Sequence, residues 1–113
     1  MEGLSVMRWT DVEPERLVKL MEEGKLAADQ IIDVREPEEW DYYHLDQSTL
    51  MPMNTIPGRI GDIPRNKDVY IICAHGVRSV AVCRYLAEQG CNGLRNVAGG
   101  MAAVASLRGF QYD

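Results

Sequence analysis

Val69-Tyr70-Ile71-Ile72-Cys73-Ala74-His75-Gly76-Val77-Arg78-Ser79 is the stretch on which the fold turns. Its first four residues are β-branched or aromatic with no polar interruption, the pattern of a strand covered on both faces. Such a strand belongs in the middle of a parallel sheet. From Ser79 onward Val80, Val82, Cys83 and Leu86 recur at helical spacing against polar Arg84 and Glu88, and Gly90 offers a C-terminal stop. The stretch therefore reads as a buried strand, a short loop and a helix.

The same alternation extends in both directions. Towards the N-terminus, Ile31-Ile32-Asp33-Val34 is a short apolar run that enters Glu36-Pro37-Glu38-Glu39, whose proline and acids suit a helix start. Before it, Pro14 followed by Leu17, Leu20 and Met21 and closed by Gly24 predicts an amphipathic helix over 14–23. Thr49-Leu50-Met51, ended by Pro52, is a weaker strand candidate, and 55–61 reads as one short helix. Towards the C-terminus, Leu94 to Val97 supplies another strand and Gly99-Gly100-Met101 opens a last helix. Strands alternating with helices predict an α/β fold, a central parallel sheet flanked by helices on both faces. In such sheets active sites lie beyond the carboxyl ends of the strands, which is where Cys73 to Ser79 falls.

A chain of 113 residues is one ordinary domain, read here as a single domain over 1–113 with a core from about Val6 to about Phe110 and loose ends. Hydrophobic residues at 46% and charged residues at 26% are globular values, against a disordered tail or a coiled coil. Twelve Lys and Arg against seventeen Asp and Glu leave a net charge of −5, which repels a polyanion, so no nucleic-acid partner is expected. No apolar run approaches the roughly 20 residues of a membrane helix, and Met1 to Thr10 lacks a secretory pattern, so a cytoplasmic protein without a membrane partner is expected. Cys73, Cys83 and Cys91 are an odd set without a CxxC pair, against a disulfide framework. With only His44 and His75 beside them, no metal-type spacing exists and no metal is expected.

Cys73 is the candidate nucleophile. At a strand's end its thiolate can be surrounded by backbone N–H groups of the loop, with Gly76 allowing the tight path and the following helix adding its positive end. A free cysteine titrates near about 8.5, and cations or helix N-termini bring it to roughly 3.5–7.5, where attack on sulfur is fast at neutral pH. Arg78 is expected to supply the cation. Cys83, among apolar helix neighbours, and Cys91, after Gly90, have no such surroundings and read as structural. Asp33 and Arg35, at another strand's carboxyl end, read as a salt bridge tying loop to helix, and His44 as a hydrogen-bonded structural residue.

Taken together, Asp33-Val34-Arg35-Glu36, Trp40, His44, the Cys73 to Ser79 loop and Asn96-Val97-Ala98-Gly99-Gly100-Met101 resemble the rhodanese-like single-domain sulfurtransferases over about Ile31 to Val104. The resemblance implies that Cys73 takes a sulfane sulfur from thiosulfate or another small anionic donor, carries it as a persulfide, and passes it to a thiol, cyanide or protein acceptor, with no metal or organic cofactor. Arg78 would then hold the donor, with Ala74, His75, Gly76, Val77 and Ser79 lining the loop that binds it. Two departures stand out: His44-Leu45-Asp46-Gln47 where the family commonly has a Pro-Gly turn after the histidine, and Val104 where a tryptophan usually follows. Two other classes remain as alternatives, a non-catalytic interaction module of the same fold and a phosphatase or arsenate reductase of related fold. The spacing bears on the latter. Cysteine phosphatases use C-x5-R, whereas Ala74 to Val77 make this loop C-x4-R, a smaller ring of amides.

Overall fold

Five strands form, Trp9–Val12 (β1), Ile31–Asp33 (β2), Thr49–Leu50 (β3), Val69–Ile72 (β4) and Leu94–Val97 (β5), of which β2 and β4 are buried along their whole length. In the computed structural model, which describes residues 9–112, they form one parallel sheet in the order β1-β5-β4-β2-β3. β4 is central and buried along its whole length, as its uninterrupted apolar run predicts. Between the strands run Pro14–Glu22 (α1), Pro37–Tyr42 (α2), Ile56–Arg59 (α3) and Arg78–Glu88 (α4), and Gly100–Leu107 (α5) follows β5. The segment expected as one helix over 55–61 is α3 with a 3-10 turn on either side, Met53–Thr55 and Ile60–Asp62.

The period of two along each strand divides the core into two layers. Ile32, Val69, Ile71 and Leu94 face Val82, Cys83 and Leu86 of α4 and Ile56 of α3. Ile31, Tyr70, Ile72 and Val97 face Leu17 and Leu20 of α1 and Met101 and Val104 of α5. Helices thus cover both faces. The two unusual positions are absorbed into the second layer: Leu45 and Val104 are completely buried there.

Two expectations are corrected. Trp9–Val12, to which the sequence pattern assigns no element, pairs in parallel with β5 from Trp9 opposite Leu94 to Val12 opposite Val97. Its residues are partly or fully exposed, so an edge strand carries no strong apolar period to betray it. The C-terminal segment, expected to be loose, is tied to the fold: Phe110 stacks on Tyr43 at 4.4 Å between ring centroids, and the Tyr112 hydroxyl accepts a hydrogen bond from Arg35. Val6, the expected start of the core, lies outside the described residues, as does most of the Met1 to Thr10 segment. Among the described residues no helix is long and apolar enough to cross a membrane.

Candidate active site

The loop from Cys73 to Val77 joins the central strand to α4, and its path is dictated from outside. The first turn of a helix has N–H groups without partners inside the helix. In α5 two of them are satisfied by this loop: Met101 donates to the Cys73 carbonyl at 2.7 Å and Ala102 to the Ala74 carbonyl at 3.0 Å. With those carbonyls turned towards α5, the amides further along face the other way, towards the Cys73 sulfur. The approach requires glycine at position 100, where φ is +63° and a Cβ would lie 2.5 Å from the Cys73 carbonyl oxygen. At Gly76, φ of +93° completes the turn.

The Gly76 N–H donates to Cys73 Sγ at 3.1 Å, and the Cys73 thiol donates to the Ser79 hydroxyl at 3.3 Å. Burial is the strongest influence on this thiol and pushes its pKa up. The Ser79 side chain and the amides of Ser79, Gly76 and His75 together outweigh it and leave the group below its ordinary value. Cys83 lies in the same core layer without such donors, and burial, then the charges of Asp11 and Cys73, push it up to about 12. All three cysteines are free and buried. Of Cys73 and Cys83, only the one at the loop has surroundings that favour the anion.

Arg78 begins α4, but its guanidinium is forked onto Glu39 of α2, Nη1 to Oε1 at 2.7 Å and Nη2 to Oε2 at 2.8 Å. Glu39 also accepts the Glu36 amide. The Arg78 bond, opposed by burial, holds its carboxyl down at about 2. Arg78 is held above its ordinary pKa, mainly by Glu39 and in smaller part by the Cys73 charge. Sequence reasoning missed Glu39. Its place three residues after Glu36 at a helix start signals a cap, but nothing there points 39 positions ahead to Arg78. Val77, at the tip, is 76% exposed, and His75 is exposed with its ring 6.3 Å from that of Tyr112.

The neighbouring loop after β2 holds the other pair. Arg35 is fully buried, and each of its five guanidinium N–H groups has a partner. Nε and Nη2 donate to the two Asp33 oxygens at 2.9 and 2.7 Å, Nη2 also to the Tyr43 carbonyl, and Nη1 to the Glu39 carbonyl and the Tyr112 hydroxyl. Asp33, completely buried as well, raises the Arg35 pKa against the larger opposing influence of burial. His44 packs flat on Trp40 at 3.8 Å, and its Nδ1 hydrogen-bonds the Trp40 carbonyl, an acceptor only, so that nitrogen carries the proton. Among the described residues no group of three His, Cys, Asp or Glu side chains forms a metal-type cluster.

A family model, the rhodanese-like domain, matches residues 13–107. The chain belongs to the rhodanese-like family. A sulfurtransferase of Allochromatium vinosum is 37% identical over 75 residues, 66% of this chain and 70% of that protein. A thiosulfate sulfurtransferase of Pseudomonas syringae is 28% identical over 89 residues, 79% of this chain and 80% of its relative. Among solved structures, a rhodanese-like domain protein from Staphylococcus aureus superposes with a TM-score of 0.77 at 37% identity, covering 84% of this chain and 90% of the other. In this rhodanese-like chain the strand-end loop with its buried thiol is the candidate active site.

Proposed function

We propose that this protein is a sulfurtransferase in which Cys73 carries a sulfane sulfur as a persulfide. The observation that supports the reading best is a buried thiol, held below its ordinary pKa, facing the amides of its own loop. The Cys73 thiolate attacks the outer sulfur of thiosulfate, a new S–S bond forms, and the old one breaks with its electron pair leaving on sulfite. A cyanide, thiolate or protein acceptor then attacks the outer sulfur of the persulfide, and Cys73 departs as the thiolate. The electrons balance without a cofactor. Loop amides from Ala74 to Ser79 stabilise the negative charge that appears on sulfur in each step. Arg78 gives two N–H groups to Glu39 and keeps three with which to hold the anionic donor at the rim. Asp33, Arg35 and His44 support the loops around it. A reducing, cytoplasmic setting suits a sulfur carried on a free thiol.

Mass spectrometry of the protein after exposure to thiosulfate, or to a small-molecule persulfide, tests this directly. One added sulfur is expected on the peptide containing Cys73, transferable to cyanide. Cys73→Ser should lose the adduct and reduce turnover to background, while a Cys83→Ala, Cys91→Ala double variant keeps both. Absence of the adduct with either donor would overturn the reading in favour of a non-catalytic module.

A further inference from the structure

Asn96 is a buried polar residue in the middle of a strand, 3% exposed, opposite Asp11 of β1 on one side and Ile71 of β4 on the other. Its side-chain amide is committed at both ends. Nδ2 donates to Asp11 Oδ1 at 3.0 Å, and Oδ1 accepts the Ser79 hydroxyl. Chemistry sets the direction of this chain. A carboxylate only accepts, so Asp11 turns the NH2 end of Asn96 towards itself and the carbonyl end towards α4. That carbonyl also only accepts, so Ser79 gives it its single hydroxyl proton. What Ser79 then offers the sulfur is a lone pair, and the Cys73 thiol donates to it.

We propose that Asp11 and Asn96 are positioning residues that aim the Ser79 proton away from Cys73, so that an exposed carboxylate on the edge strand sets how readily the buried thiol ionises. The Gly76 amide favours the thiolate outright; the Ser79 hydroxyl favours it once its proton turns to the sulfur, and the chain from Asp11 opposes that turn. For Ser79 to support the anion its proton must turn to Sγ, which leaves the Asn96 carbonyl buried without a donor unless the amide flips, and Asp11 opposes the flip. The consequence is a sulfur that is activated but not fully ionised at rest, which limits oxidation of an idle thiolate. The other titratable groups around the site do not reproduce this control. Arg78, paired with Glu39, feels the Cys73 charge, and Cys83 feels those of Cys73 and Asp11, but both act through space and not through the Ser79 hydroxyl; the His75 ring lies 6.3 Å from that of Tyr112.

The proposal concerns ionisation and needs no sulfur donor to be tested, so its failure is distinct from failure of the persulfide reading, on which only its functional consequence rests. Asp11→Asn is nearly isosteric, lies at an exposed edge position, and replaces an obligate acceptor with a group that can also donate. The Cys73 thiolate is titrated by its ultraviolet absorbance, taking the difference from Cys73→Ser. Asp11→Asn is expected to lower the midpoint by about half a unit, about threefold more thiolate on the acid side. In a Ser79→Ala background the same substitution should produce no shift, because the last link is gone. No shift in the first case overturns the proposal. An equal shift in both backgrounds also overturns it, since the effect is then only the loss of a nearby charge.

Discussion

The loops after β2 and after β4 leave adjacent strands of one sheet at the same end, and both bury a group that water would otherwise hold. In the first, the Arg35 guanidinium meets a partner at every N–H and has nothing left for a ligand. In the second, the Cys73 sulfur meets the Ser79 hydroxyl and the amides of Gly76, His75 and Ser79, which lower the cost of charge on it. Burial raises the cost of charge in both. Full pairing makes one loop a fastening between β2, α2 and the C-terminal segment, and partial pairing leaves the other a place for chemistry.

The contrast is broken most severely by removing one partner of the saturated pair. Asp33→Ala leaves a buried guanidinium without its counter-charge and should cost about 3–5 kcal/mol in urea unfolding. A loss under about 1 kcal/mol would show that water reaches Arg35 and that the loop is not the fastening described. Next is the contact that shapes the reactive loop. Gly100→Ala places a Cβ 2.5 Å from the Cys73 carbonyl oxygen at a φ of +63°, and about 2–3 kcal/mol of stability should be lost. The Cys73 titration midpoint should rise with it as the amides move off the sulfur; an unchanged midpoint would separate loop shape from thiol activation.

The smallest effect sharpens the comparison at the rim, where α2 meets the reactive loop. Glu39→Gln should cost at most about 1 kcal/mol near neutrality, because the pair is partly open to solvent. The folded carboxyl titrates at about 2 against an ordinary 4.5, so its stabilising share is complete above about 4.5 and is lost as pH falls towards about 2. Parent and variant stabilities, followed by thermal unfolding across that range, should therefore converge in acid. A difference that persists at the lowest pH would mean that Glu39 acts through packing and not through Arg78.

Much of this was legible in the residues because it is local. The run Val69 to Ile72 predicts a strand buried on both faces, and the change to helical spacing after Ser79 predicts α4, since periodicity depends only on neighbours along the chain. The edge strand β1 escaped because a strand exposed along most of its length has no apolar alternation to read. Arg78 was legible as a cation beside Cys73 but not as one already held by Glu39. Asn96 carries a signal that can be recognised afterwards, an amide two residues after Leu94 in a strand and so on the same face, without saying what it binds.

By itself the sequence determined the α/β alternation, the central strand, the loop at its carboxyl end and the cysteine on it, and it carries the motifs of the rhodanese-like family. Tertiary structure alone decided which polar groups are satisfied. Arg78 finds Glu39 across 39 positions, Arg35 finds Tyr112 across 77, and Asn96 finds Asp11 across 85. The reason is physical: strand and helix patterns repeat along the chain, whereas the partner of a buried donor is whatever acceptor the packed layers bring within about 3 Å, at any separation in sequence.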